Sequence, residues 1–556
     1  MTDVSIKATF AARQVSGVVR TVSAWTAFLF GVHCISLSSS GLIPFSWVAS
    51  VWPGASIIGV LTIAMVLCLI HASAYAIIGS VVPFEGADYY FGSRVLSPQL
   101  AFAASWTLVL FSGIVAGGLA AWVPASALPS LLRPIAIIFH DPRFADLADL
   151  VSSTPGVVII GGLIVTIAAV TTVQANTLLR TLLTAGFIFG IISWIIIIWS
   201  LSSADGPNAF RTAWDHFMTA TGPYGSFDKR VPLAMAAGMS ITNSPWEMTL
   251  GGLIMGFWIY YGYYIPTFFA EEVRKPRTTL VIAAISSLVF AYIIFVTAAF
   301  LLERLVPTDW IAAEGYLENN KDAVSAVAGG RAVVAMPWIT FYAAILKPEP
   351  LLIFFVAFGW IFTLINLVQT YLFYTSRIIY SWALDRALPG WVLGNPGRES
   401  FARAIFLTSV LAGVGLVDAA FGGPLGTQLK FAFFAVVTGL IPIFALTFLP
   451  KLHPEIFGRL PSFLKRSVFA IPLASYVGVG TLVYLIWMII ASFLYPAVGV
   501  ENPLATLTIL AVMIVIGFVM FAAMRRRRLA AESIDILQTY KAPISEDPND
   551  LERTFV

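Results

Sequence analysis

Long apolar runs separated by short polar stretches set the pattern of this chain. A helix needs roughly 20 apolar residues to cover about 30 Å of hydrocarbon. Runs of that size fall near 23–47, 55–82, 99–124, 155–174, 179–201, 245–270, 278–302, 350–384, 402–422, 428–449, 468–496 and 503–524. The pattern predicts an all-α membrane protein with about twelve transmembrane helices. Two long connections, 203–244 and 303–348, carry Gly, Pro and Trp without a repeat and have room for short surface helices. The stretch 529–556 is polar, holds Pro543 and Pro548, and reads as a loosely ordered tail.

Two of the runs are interrupted at mid-depth. The sixth reads Gly256–Phe257–Trp258–Ile259–Tyr260–Tyr261–Gly262–Tyr263–Tyr264–Ile265–Pro266. Proline removes a backbone donor and crowds the preceding turn, while glycine relaxes the backbone beside it. In a bilayer the freed amides and carbonyls must face protein, a cavity or a ligand. The first run holds Ser36–Leu37–Ser38–Ser39–Ser40–Gly41 and then Pro44, and its hydroxyls can satisfy a broken backbone or meet a ligand. Either run also reads as a plain kink or as small-residue packing. Their spacing separates these readings: each opens a block of five helices, and an odd repeat length sets the two blocks in opposite orientations around a shared central site.

Composition agrees with a membrane chain. Of 556 residues, 59% are hydrophobic and 11% charged, against about a quarter charged in soluble domains. A net charge of +3 gives no reason to expect a nucleic-acid partner. Cys34 and Cys68 both lie in apolar runs, so neither a disulfide framework nor a metal site is expected. The polar start Met1–Arg20 shows no cleavable signal peptide. Basic residues such as Lys7, Arg13, Arg20, Arg94, Arg398 and Arg525 to Arg528 gather on one side, which places both termini in the cytoplasm. The organisation expected is a cytoplasmic segment 1–22, a first repeat 23–201, an extracellular connection 202–244, a second repeat 245–449, two further helices within 450–524 and a cytoplasmic tail 525–556. An intramembrane enzyme would need paired acids, a His–Glu metal cluster or a Ser–His pair. His33 and His71 are isolated and acids are nearly absent from the runs, so no catalytic residue, cofactor or metal is expected. A channel would want charge rings or a carbonyl filter, generally in a symmetric oligomer.

Three motifs then stand in order. Gly262 is followed by Glu271–Glu272–Val273–Arg274–Lys275–Pro276. Val82–Pro83–Phe84–Glu85–Gly86–Ala87–Asp88–Tyr89–Tyr90 leads into Ser93–Arg94 and Pro98. Ser376–Arg377–Ile378–Ile379–Tyr380 runs on to Asp385–Arg386–Ala387–Leu388–Pro389. Together they resemble the amino acid–polyamine–organocation transporters, whose fold is of the LeuT type. Where that family has Gly-Ser-Gly in the first break, this chain has Leu37–Ser38–Ser39 or Ser39–Ser40–Gly41, and Glu85 and Ala87 replace small residues.

The resemblance implies a secondary active transporter that moves amino acids across the cytoplasmic membrane by alternating access. It puts the substrate carboxylate at Ser38, Ser39, Ser40 and Gly41, where a half-helix start adds about half a unit charge. The ammonium would meet carbonyls around Tyr260, Tyr261 and Gly262. Trp258 and the tyrosines near it either wall the pocket or pack between helices, with about two facing it. Glu271 or Glu272 either pairs with Arg20 or Arg377 to shut an inner gate or stays solvated. Coupling to a proton or to sodium is open: His33 can carry a proton or sit neutral against a carbonyl, while Asn366, Gln369 and Thr370 can offer oxygens. A polyamine or other organic-cation transporter remains an alternative, with Glu247 as its nearest acid, and so does an amino acid sensor that does not transport.

Overall fold

A computed structural model describes residues 18–173, 177–241, 244–394, 401–425, 431–496 and 498–541. The start of the expected N-terminal segment with Lys7 and Arg13, the basic residue Arg398, and the tail beyond residue 541 lie outside the described residues.

Eleven helices among the described residues are long and apolar enough to cross a membrane. Spans 1 to 5 are Ala24–Val51, Ile57–Val81, Pro98–Phe139, Thr154–Val173 and Leu178–Ser202. Spans 7 to 12 are Pro276–Leu305, Pro350–Leu384, Ala402–Ala420, Phe433–Leu452, Leu473–Leu494 and Pro503–Glu532. The chain is thus an all-α integral membrane protein. Span 6 falls short of that length for a physical reason. Its regular helix, Pro245–Tyr260, has 16 residues, about 24 Å at 1.5 Å per residue, against the roughly 30 Å of a bilayer core. Irregular chain and 3₁₀ turns at Ile265–Phe268 and Ala270–Glu272 cover the rest.

Local chemistry sets the helix starts. Ser56 accepts from the Gly59 amide, Ser97 accepts from Leu100 and is followed by Pro98, and Asn502 accepts from Ala505 and is followed by Pro503. Each side chain satisfies an amide that lacks an intrahelical partner, and each proline sits where its missing N–H costs nothing. Two helix ends differ from expectation. Span 3 does not stop near 124 but widens into a π-turn, Val123–Ala127, and continues over Pro129–Phe139. Span 12 runs on through Arg525 to Arg528 as far as Glu532. The tail predicted to be loose is packed in part: Ile536–Lys541 forms a 3₁₀ turn with Ile536 and Thr539 buried.

Packing repeats with an offset of five. Span 1 lies against spans 7 and 5, and span 6 lies against spans 2 and 10. Span 3 packs on spans 9 and 10, and span 8 packs on spans 4 and 5. Span 2 meets span 7, and span 4 meets span 9. The two long connections form short helices, Pro207–Met218 and Phe227–Ala236 in one, Thr308–Asn319, Lys321–Val327 and Ile339–Leu346 in the other. Arg230 and Glu314, both fully buried, join them as an ion pair. Val334 and Tyr224 carbonyls accept from the guanidinium, and the Met336 amide donates to the carboxylate. A buried pair costs less when its remaining polar atoms are satisfied.

Candidate functional site

The break in span 1 lies at Ser36–Leu37–Ser38. The first half-helix ends at Ile35 and the second begins at Ser39, with Ser36 in the left-handed region at φ 59°. Serine enters that region only when its surroundings hold it there. Ser36 Oγ accepts from the Ser39 amide at 3.3 Å, and Ser40 Oγ donates to the Ile35 carbonyl at 2.5 Å. Two other spans secure the turn: Trp194 Nε1 of span 5 donates to the Leu37 carbonyl at 3.1 Å, and Thr363 Oγ1 of span 8 donates to Ser38 Oγ at 2.7 Å.

The break in span 6 follows Tyr260. Gly262 adopts φ 125°, a conformation open to glycine because it has no Cβ. A Cβ there would come 2.5 Å from the Cys34 carbonyl carbon and 2.7 Å from the Ile35 nitrogen. The interruption in span 6 therefore touches the end of the first half of span 1, and the two breaks meet backbone to backbone.

A small cavity opens beside this contact, lined by Cys34, Ile35, Ser39, Ser40, Leu119, Trp258, Tyr261, Leu367 and Tyr371. Of the expected binding residues, the structure brings Ser39, Ser40, Trp258 and Tyr261 to the wall. It does not bring Ser38, Gly41, Tyr260 or Gly262 there. Ser38 holds the turn, Gly41 packs against the Trp194 ring, and Tyr260 Oη donates to the Leu61 carbonyl at 3.2 Å. Leu119 from span 3 and Leu367 and Tyr371 from span 8 were missed. No local sequence signal marks which face of an all-apolar helix turns inward. No charged side chain lines the cavity.

Polar contacts close the end of the molecule below it. Glu272 Oε1 accepts from Arg377 Nε at 2.8 Å, with Arg377 fully buried and sandwiched between the Phe373 and Phe401 rings at 3.5 and 3.8 Å. Glu271 instead accepts from the Glu85 amide at 3.4 Å. Arg20 contributes its carbonyl, which accepts from Arg274 Nε at 3.2 Å. The chain entering span 1 is stitched to the chain leaving span 6: the Val22 amide donates to Glu272 O, and the Arg274 amide donates to Val22 O, both at 2.9 Å. A second buried pair was not anticipated. Arg94 grips Asp385 with both terminal nitrogens at 2.7 and 2.6 Å, the forked geometry that makes such pairs strong. Both residues stand in the quoted motifs, yet sequence alone does not say that they meet.

Two of the coupling candidates, His33 of span 1 and Asn366 of span 8, bond to span 5. His33 Nε2 lies 2.7 Å from the Leu183 carbonyl, and Asn366 Nδ2 donates to the Leu182 carbonyl at 3.3 Å. A Cβ on Gly186 would collide with the Asn366 amide and reach 3.2 Å from His33 Cε1, so both side chains fit because that residue is glycine. Thr370 Oγ1 donates back to Asn366 O within span 8 at 2.9 Å. No cluster of three or more His, Cys, Asp or Glu side chains suited to a metal occurs among the described residues.

Comparison with known proteins adds to this geometry. The family described as amino acid permease matches residues 22–521. The methylthioribose transporter of Bacillus subtilis (strain 168) is 23% identical over 497 residues, which cover 86% of this chain and 93% of that protein.

Proposed function

The chain belongs to the amino acid permease family, and from that premise we propose that this multi-pass membrane permease is a secondary active transporter of small amino acids. The observation that carries the reading is the cavity where the two breaks meet. Its wall sets serine hydroxyls beside aromatic and leucine side chains, a lining suited to a small solute with one polar and one apolar end. Trp258, Tyr261, Tyr371, Leu119 and Leu367 form an apolar wall for a side chain. The Leu37 and Ser38 amides, between the lining residues Ile35 and Ser39, have no acceptor among the described residues, and the Ser39 and Ser40 hydroxyls stand beside them. That edge suits a carboxylate. The offset-five packing is what two inverted blocks of five helices produce, and it supports alternating access about this cavity. Opening toward the motif-bearing end requires parting Glu272 from Arg377 and releasing the Val22 stitch. We place the protein in the cell membrane with both termini in the cytoplasm, from its basic-residue distribution.

A second reading draws on the relative. With no charge on its wall, the cavity also matches the chemistry of a neutral thio-sugar such as methylthioribose. A polyamine fits less well, because each amine would want a carboxylate. A thermal-shift panel of L-amino acids, putrescine and methylthioribose, with and without sodium and at two pH values, separates these. A true ligand at 100 times its dissociation constant stabilises by about 2.7 kcal/mol. Uptake into proteoliposomes then distinguishes transporter from sensor. Stabilisation by putrescine alone, or binding without accumulation, would overturn the proposal.

A further inference from the structure

Asp88 is an acid that the account above leaves unused. It lies on the helix Ala87–Val95 between spans 2 and 3 and is 7% exposed. Its Oδ2 accepts from Tyr75 Oη at 3.0 Å, while Oδ1 has no hydrogen-bond partner among the described residues. The carboxyl lines a small cavity with Ser105 and Leu108 of span 3 and Thr438, Ile441 and Pro442 of span 10. No other charged side chain lines that space.

The neighbouring charges are engaged elsewhere. Arg94, on the same helix, is committed to Asp385 at the end of span 8. Glu271 accepts from the Glu85 amide, while the Glu85 carboxyl, three residues before Asp88, is a second fully buried acid. Tyr540 from the C-terminal turn sits over Arg94 and shares a 2.7 Å hydrogen bond with Tyr89. Spans 3 and 10 offer the hydroxyls Ser105 and Thr438 but no charge. The titratable groups facing Asp88 are Tyr75 of span 2 and Tyr264 of the span 6 break. An ionised carboxylate with one donor is poorly solvated, whereas its protonated form needs less help. Burial raises the Asp88 carboxyl from its ordinary 3.8 to about 7, and the Tyr75 hydrogen bond offsets part of that rise.

Three aromatic rings connect this acid to the ligand cavity. Tyr75 packs on Tyr264 at 4.3 Å between centroids, and Tyr264 meets Tyr261 edge to face at 5.4 Å. Tyr261 is itself a wall of the ligand cavity.

We propose that Asp88 is the proton-carrying residue of this permease, taking up one proton as carboxylate to carboxylic acid in one facing state and releasing it in the other. The inference rests on the transport reading above. It assigns to Asp88 the role for which His33 is the sequence candidate: His33 Nε2 is held at the Leu183 carbonyl, whereas Asp88 keeps one oxygen without a hydrogen-bond partner among the described residues.

Infrared titration of the purified full chain reads the proton directly. The wild type should show a protonated-carboxyl carbonyl stretch that disappears as pH rises through about 7. Asp88→Asn should lack it, and Tyr75→Phe should move it to higher pH by removing a donor to the carboxylate. A band unchanged in Asp88→Asn overturns the proposal. In proteoliposomes supplied with the L-amino acid that most stabilises the wild type, an inward proton gradient should drive accumulation by the wild type. Asp88→Asn should exchange that amino acid across the membrane yet lose gradient-driven accumulation. Accumulation retained by Asp88→Asn also overturns the proposal. If the wild type takes up no L-amino acid, the transport reading fails, and the infrared titration still decides whether Asp88 holds a proton.

Discussion

Replacing Gly262 with alanine tests the meeting of the two breaks. The alanine must hold φ 125°, which costs of order 1–3 kcal/mol for a residue with a Cβ. Its methyl must also fit 2.5 Å from the Cys34 carbonyl carbon and 2.7 Å from the Ile35 nitrogen. Those atoms are backbone and cannot rotate away, so displacing the end of the first half-helix adds typically about 1–3 kcal/mol. The expected loss is therefore about 2–6 kcal/mol, enough to abolish the compact closed form or shift it to another state. Gly118 of span 3 supplies the control. It is mid-helix with ordinary φ, and a Cβ there meets nothing within 4 Å. Gly118→Ala should be neutral or gain about 0.5–1 kcal/mol. Thermal unfolding in detergent, paired with uptake by each variant, reads both. If Gly262→Ala melts with the wild type and transports normally, the two breaks do not touch as described.

Other expectations follow from the same geometry. Glu272→Gln strips Arg377 of its buried partner and should destabilise by about 3–5 kcal/mol, and adding Arg377→Met should restore much of that because no orphan charge remains; a double-mutant thermal cycle measures it. His33→Phe removes the buried hydrogen bond to the Leu183 carbonyl, at a cost of about 0.5–1.5 kcal/mol, and should leave the pH profile of uptake unchanged. The raised Asp88 value favours the folded state at low pH, and this contribution fades as pH rises through about 7. A shift from 3.8 to about 7 is worth on the order of 4 kcal/mol. The wild type should thus lose thermal stability between about pH 4 and about pH 7 by an amount that Asp88→Asn does not.

Much of this architecture is legible in the sequence. Run length alone places the spans, and Gly262 with Pro266 locates the sixth break because backbone freedom and a missing donor are properties of those residues wherever they stand. The first break was harder to read. A positive φ is usually sought at glycine, yet here Ser36 takes it, while Gly41 is small because Trp194 packs on it. Helix ends misled for a related reason. Pro124 and Pro129 read as stops, but the chain absorbs them in one wide turn and continues. The four arginines read as an edge, but they prolong the helix, and Arg525 then pairs with Asp535 at 2.7 Å to turn the tail inward. What the sequence hid most fully was pairing at a distance. Arg94 with Asp385, Tyr75 with Asp88 and Trp194 with the Leu37 carbonyl each join segments whose meeting depends on the whole bundle.

The cavity between the breaks is tested most directly by filling it. Ser39 lines it, and its hydroxyl makes no hydrogen bond among the described residues, only its amide being engaged. Ser39→Leu should therefore leave unliganded stability nearly unchanged. The dissociation constant of the L-amino acid that most stabilises the wild type should rise at least about 100-fold, equivalent to about 2.8 kcal/mol. Unaltered affinity in a folded Ser39→Leu protein would mean that the solute binds elsewhere.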